Sequence, residues 1–290
     1  MREHKLRQNL NKEWIIDTIQ NYVVHSPKNR FPFYDSPIWE KPLVGFSSGA
    51  DELYQFYKKD IGDFYQTPVE VFSEAFPGTD VPAEDLTVIS WILPQSTYTK
   101  EQHRRESKMP SHAWVYCRMY GEEINKALCS YMVEQLALKG VVATSPYLNN
   151  PRWQRMVSDK YGESGTWSER HAAHVSGLGT FSLTDALITP VGMAVRIGSM
   201  IAKGAWEPTL RPYRSHNEYC LFYHDAKCTA CISRCPVDAI TEQGHDKWKC
   251  KAYGREQCKP YSMENYHLEI HSCGLCQVDV PCESCIPKLP

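Results

Sequence analysis

The chain has 290 residues, 32 of them basic and 34 acidic, for a formal net charge of −2. That near-neutral balance, with no strong block of either sign, argues against a large nucleic-acid footprint, and 42% hydrophobic residues is the content of a folded globular protein. No apolar run approaches the ~20 residues that a membrane helix needs. The basic start leads into no apolar stretch and carries no twin-arginine pair, so a cytoplasmic protein is expected.

In chain order, Trp14, Ile15, Ile19, Tyr22 and Val23 share one helical stripe, and a second amphipathic pattern runs from Ser48 to Phe64. Between them, the proline- and aromatic-rich stretch 31–42 reads as irregular wrapping chain. Leu86–Leu93, L-T-V-I-S-W-I-L, is a buried strand stopped by Pro94. Residues 113–139 carry apolar side chains at helical spacing and end on Gly140, a residue type suited to the left-handed position after a helix. Residues 141–144 read as the next strand. This alternation predicts a layered α/β or α+β core.

Residues 167–200 are the most informative stretch without cysteine. A helix with Ser168 near its start runs to Ser176 and breaks at Gly177-Leu178-Gly179. A loop, a strand at 186–189, a turn at Pro190-Val191-Gly192 and a strand near 194–197 follow. Small residues here would let backbone approach a bulky ligand; the same glycines also read as a helix cap and a turn. His171 and His174 stand at i, i+3 and have the spacing to ligate a metal, although such histidines are more often ordinary surface or core groups.

Ten of the twelve cysteines fall between Cys220 and Cys285, while Cys117 and Cys129 lie in a helical pattern and read as buried structural thiols. Without an export signal, disulfides are not expected, and the run C-x2-C-x3-C-P at Cys228, Cys231, Cys235 and Pro236 fits iron–sulfur spacing better than paired zinc ligands. A ferredoxin run would place its first cysteine at position 225, where Asp225 stands. Asp225 is an oxygen ligand, the mark of a three-iron cluster, or a bystander replaced by Cys220; the third reading is preferred, because seven intervening residues suffice for a returning loop.

A second group comprises Cys250, Cys258, Cys273, Cys276, Cys282 and Cys285. Because the fourth cysteine of each ferredoxin run ligates the other cluster, the expected assignment for two 4Fe–4S clusters is as follows. The first takes Cys220, Cys228, Cys231 and Cys282; the second takes Cys235, Cys250, Cys273 and Cys276. Two thiols are then surplus, and Cys250 competes with Cys258 as Cys282 does with Cys285.

The stretch S-G-L-G-T-F-S-L-T-D-A-L-I-T-P-x-G-x-x-x-R-I-G at 176–198, followed by the cysteine-rich tail, resembles corrinoid-dependent reductive dehalogenases and the related epoxyqueuosine reductases. The resemblance spans roughly 86–290 and is best over 169–240. It implies an α+β protein: a nitroreductase-like α/β core that holds cobalamin, followed by a small ferredoxin-like domain with two 4Fe–4S clusters. The expected division is a helical and irregular wrapping region at 1–80, the core at 81–215 and the ferredoxin-like domain at 216–290. By the same resemblance Gly177, Leu178, Gly179, Thr180, Leu187, Ile188, Thr189 and Arg196 lie near the corrinoid.

Two departures matter. Epoxyqueuosine reductases carry an acid just before a proline on the preceding strand, and Ala143 stands at the aligned place here. Their tRNA-binding helical extension is not found after Cys285, which with the charge balance argues against a tRNA substrate. Tyr147, Glu169 and His171 are candidate acids, but the catalytic groups are unassigned at this level. The expected activity is cobalamin-dependent reduction of a small organic substrate, with electrons from a reduced ferredoxin or flavodoxin. The alternatives are a ferredoxin-type electron-transfer protein or corrinoid-reducing activator without substrate chemistry of its own, and a zinc-stabilised interaction module.

Overall fold

The computed structural model describes residues 10–148 and 154–288. The chain opens with α1 (Lys12–His25), capped by the Asn11 side chain, then β1 (Leu43–Ser48), α2 (Glu52–Ile61) and α3 (Pro68–Ala75). The central strand β2 (Leu86–Pro94) is followed by α4 (Thr97–Arg104), the long α5 (His112–Leu138) and β3 (Ala143–Thr144). A hairpin of β4 (Arg155–Ser158) and β5 (Gly162–Gly165) leads to α6 (Glu169–Val175), β6 (Thr180–Phe181), β7 (Leu187–Ile188) and β8 (Val195–Lys203). Among the described residues no helix is long and apolar enough to cross a membrane.

One antiparallel sheet, ordered β1-β2-β8-β3, organises the core. All nine residues of β2 are buried, as a strand covered on both faces must be. Successive side chains of a strand point to opposite faces, and two packing layers follow from that. Ile89, Trp91 and Leu93 pack with Ile15, Ile19, Leu128 and Met132 of α1 and α5. Leu86 and Val88 pack instead with Tyr54, Phe72 and Trp167. The architecture is α+β, as expected.

The region expected to wrap the core separately, 1–80, supplies β1, whose six residues pair with β2 from Leu43↔Ile92 to Ser48↔Thr87. The sheet therefore runs across the 80/81 boundary, and α1 belongs to the main hydrophobic core.

The cysteine-rich segment consists of short elements: α7 (Leu221–Asp225), α8 (Ala230–Ser233), a two-strand ribbon of β9 (Ile240–Thr241) and β10 (Gly244–His245), α9 (Lys247–Tyr253), a π-helical turn at 254–258 and α10 (Lys259–Tyr266). Backbone bonds Met193 N–H to Cys282 O (2.9 Å) and Ala194 N–H to Glu283 O (3.3 Å) tie its end to the approach of β8. Arg104 of α4 clamps Glu283 through Nε to Oε2 at 2.8 Å and a second guanidinium nitrogen to Oε1. A planar guanidinium that meets a carboxylate with two bonds fixes orientation as well as distance.

Candidate functional site: a cleft beside two thiol groups

Cys220, Cys228, Cys231 and Cys282 line one small cavity, together with Met193, Phe222 and Pro281. Burial is the main effect that raises the Cys231 thiol, to about 11, and Cys220 and Cys228 add to it. Cys282 is likewise pushed up by burial, then by Cys220, Cys231 and Cys228. Cys231 and Cys282 are therefore hard to ionise in this recess, a penalty that a shared cationic centre relieves.

The second group gathers Cys235, Cys250, Cys258, Cys273 and Cys276. Half-buried Cys276 is held far above the ordinary thiol range by desolvation, then by Cys273, Cys250, Cys231 and Cys235. The Cys258 side chain, fully buried, hydrogen-bonds Cys273 and is raised by that contact, while Cys273 is lowered. Cys285 is exposed and stands outside both groups, its Sγ directed at Pro281 O.

A cleft of about 2140 Å³ lies between the core, where α2, α5, α6 and β8 line it, and the cysteine-rich segment. It is about twice the largest ordinary small-molecule pocket. Cys250 and Cys273 are on its wall, and the first thiol group is not. Leu187, Met193, Val195 and Ile197 give it an apolar strip.

Polar groups converge on the cleft from distant elements. Arg196 of β8 and Arg118 of α5 both pair with Glu122 of α5, Arg118 at 3.4 Å. Arg196 Nε, Glu122 Oε1, Gln95 Oε1 and the hydroxyls of Tyr57 and Tyr65 are enclosed without a hydrogen-bond partner, and all five residues line the cleft. Desolvation, then Glu122, raises Tyr147 to about 12. Enclosure raises the Glu169 carboxyl to about 8. His245 accepts the company of Asp185 (3.1 Å) and of Cys250, which together raise it to about 9 against the opposing effect of burial.

Leu187 and Arg196, from the expected corrinoid set, are on this wall; Gly177, Leu178, Gly179, Thr180, Ile188 and Thr189 are not. The glycines serve the chain itself. A Cβ on Gly179 would stand 2.2 Å from Ile188 O, and one on Gly177 would stand 2.8 Å from Leu210 O. Their close approach is to protein backbone, and Gly177, at φ +78°, is also the helix-terminating residue. Ala143 is buried in the sheet and off the wall, whereas Tyr147, Glu169 and His171 are all on it.

His171 and His174 do not act as a pair of open ligands. His171 Nδ1 contacts Ser168 Oγ at 2.7 Å and His174 Nδ1 contacts Gly179 O at 2.7 Å. Desolvation lowers His171 to about 3 and His174 to about 4; desolvation, then Arg234, lowers His103 to about 3. Below pH 6.5 the unfolded chain therefore binds protons at three sites where the fold does not, so stability falls as pH falls. Each contributes a slope of up to about 1.4 kcal/mol per pH unit. Glu169 has the opposite sign, since its contribution is lost as pH rises towards 8. Chemical denaturation between pH 7 and pH 5 is expected to show a net loss of stability, since these rings, with His112 and His271 lowered in the same sense, outnumber Glu169. PH-independent stability over that range would mean that these rings are protonated in the fold.

No family model matches the chain, and no curated protein matches it. Solved structures do. An epoxyqueuosine reductase from Bacillus subtilis, with its catalytic aspartate loop swung out of the active site, aligns over 98% of this chain and 70% of its own, at 17% identity and a TM-score of 0.52. An epoxyqueuosine reductase bound to an epoxyqueuosine-modified tRNA-Tyr stem loop aligns over 96% and 66%, at 17% identity and TM-score 0.51. The catabolic reductive dehalogenase NpRdhA aligns over 84% and 30%, at 16% identity and TM-score 0.52. The fold is the one these reductases share. The chain spans about two thirds of the tRNA-bound reductase and under a third of the dehalogenase.

Glu122, Arg118, Asp185 and His245 escaped the sequence reading. Each is a common charged residue; Arg118 and Glu122 share α5, while Asp185 and His245 come from other parts of the chain, and only the fold brings them to one wall.

Proposed function

We propose that the protein is an iron–sulfur reductase in which two 4Fe–4S clusters pass electrons to a corrinoid in the cleft, for reduction of a small organic substrate. The single observation that carries this reading is the position of Cys250 and Cys273 on the cleft wall. A redox centre held there would adjoin whatever the cleft binds.

The donor sets fit such centres. Cys220, Cys228, Cys231 and Cys282 would hold the first cluster, and Cys235, Cys250, Cys273 and Cys276 the second, with Cys258 the surplus thiol beside it. Among the described residues no three Cys, His, Asp or Glu side chains converge tightly enough for a single metal ion. Thiols spread around a cavity suit a polynuclear cluster, whose ligands occupy separate corners, better than tetrahedral zinc. The first group does not line the cleft, so electrons from a ferredoxin- or flavodoxin-type donor would enter there and leave through the second.

The cleft fits a corrinoid in size, in its apolar strip and in its enclosed unpartnered polar atoms, which peripheral amides of such a ring would satisfy. Leu187, Val195 and Ile197 would carry the ring, and Arg196, held by Glu122, would face its edge. When bound, a corrinoid supplies a strongly reducing cobalt centre. The protein's own part is to bind, orient and shield the reactants and to supply a proton.

Anaerobic reconstitution followed by iron, sulfide, zinc and corrinoid analysis tests this. About eight irons per chain with stoichiometric cobalamin is expected. Eight irons without cobalamin uptake would leave an electron-transfer protein in place of a reductase, and zinc without sulfide would remove the cluster reading.

A further inference from the structure

We propose that Glu169 is the proton donor of the cleft, holding its proton on Oε2 and delivering it to the substrate as that substrate is reduced. This rests on the reductase reading above and adds to it the group that completes the reaction.

Geometry singles Glu169 out. Among the described residues, seven with carboxyl side chains line the cleft. Asp51 pairs with Arg211, Asp60 with Lys160, Glu122 with Arg196, Glu163 with Lys251 and Asp185 with His245. Glu52 is exposed on α2. Glu169 alone is both enclosed and without an ion-pair partner among the described residues, and its Oε2 makes no hydrogen bond.

The groups that face it explain why. From β8 come Ser199, which bonds the carboxyl, and Arg196; from α5 come Glu122 and Cys129; Trp167 also hydrogen-bonds the carboxyl, and Tyr65 closes the remaining side. Arg196 is the one cation among these, and it is already engaged by Glu122. A second carboxylate beside a neutralised pair, with its Oε2 enclosed, is disfavoured as an anion. Its carboxyl accordingly titrates at about 8, close to neutrality, where a general acid works best. Tyr147, at about 12, is a weaker acid, and neutral His171 has no spare proton to give at low cost.

The step balances. Two electrons arrive from a reduced ferredoxin- or flavodoxin-class donor by way of the thiol-held centres. The bond from carbon to its leaving group breaks, the leaving group departs with the electron pair, and a C–H bond forms with the proton from Glu169 Oε2. The resulting carboxylate regains a proton from solvent through the open cleft.

Glu169→Gln keeps the shape and the Ser199 contact but has no acidic proton. In infrared difference spectra of the full chain without cofactor, the wild type is expected to show a protonated carboxyl band at pH 7. That band should disappear with a midpoint near pH 8 and be absent from the variant throughout. In the reconstituted, cobalamin-loaded proteins, the probe is 3-bromo-4-hydroxybenzoic acid, a ligand of one dehalogenase of this fold. Bromide release by Glu169→Gln is expected to fall about 100-fold or more in kcat with KM little changed, and Glu169→Asp to recover part of it. A missing carboxyl band, or an unchanged kcat in Glu169→Gln, overturns the assignment. Wild type that shows the band but takes up no cobalamin overturns the reductase reading instead, and this proton transfer falls with it.

Discussion

Replacing Cys220 with alanine is expected to destroy or convert one of two clusters, taking iron from about eight towards about four per chain, while Asp225→Ala leaves both spectroscopically intact. Cys220 is 7% exposed and faces the same small cavity as Cys228, Cys231 and Cys282. Removing it leaves three thiols among the described residues of that recess. Asp225, although it stands where a ferredoxin run begins, is occupied otherwise. Its carboxylate accepts the Lys227 N–H at 3.1 Å and meets Lys227 Nζ at 3.2 Å, and these contacts hold it below its usual range. It braces the turn through Ala226, at φ +57°, that returns the chain from α7 towards Cys228. Iron and sulfide analysis with electron paramagnetic resonance of the dithionite-reduced proteins checks both variants. An unaltered spectrum from Cys220→Ala, or a lost signal from Asp225→Ala, would hand the fourth position to the aspartate.

How far the sequence could be read depended on whether the signal was local. α1, α5 and β2 carry their burial in their own periodicity, so Ile15/Ile19/Val23 and the run 86–93 announced them. β1 did not: L-V-G-F-S-S is short, contains glycine and two serines, and is a strand because β2, some forty residues on, pairs with it. The polar β4–β5 hairpin was silent for the same reason. In β8 only the start was read, since Gly198 interrupts the pattern; a Cβ there would stand 2.5 Å from the Trp91 indole. The cysteine spacings were legible because loop chemistry is local. The cleft was not, because Glu122, Arg196 and Glu169 become neighbours only through the sheet. The glycines at 177 and 179 had a correct local meaning, a break, and a tertiary one that only the folded backbone reveals.

The second large effect is expected from Gly192→Ala, which should unseat Cys282 and with it the first thiol group. Gly192 adopts φ +85°, and a Cβ there would lie 2.1 Å from Glu283 O, 2.3 Å from Glu283 C and 2.4 Å from Ser284 N. All three are backbone atoms, which cannot swing aside as a side chain can. The left-handed conformation alone costs a non-glycine residue about 1–2 kcal/mol, and the clash adds to it. The segment it would displace is held at every neighbouring point: Met193 N–H to Cys282 O, Ala194 N–H to Glu283 O, and the Arg104 clamp on Glu283, which is 4% exposed. Moving Glu283 therefore moves Cys282, whose Sγ lies 3.0 Å from Met193 Sδ at the edge of the cavity. Gly140→Ala separates the two contributions, because Gly140 has φ +76° with nothing within 4 Å of its Cβ position. Gly140→Ala should lower the melting temperature slightly and keep all the iron; Gly192→Ala should melt markedly lower and lose about half of it. If the two variants behave alike, the contact between 192 and 283 does not hold the cysteine in place, and the position of Cys282 must be set by the cluster itself.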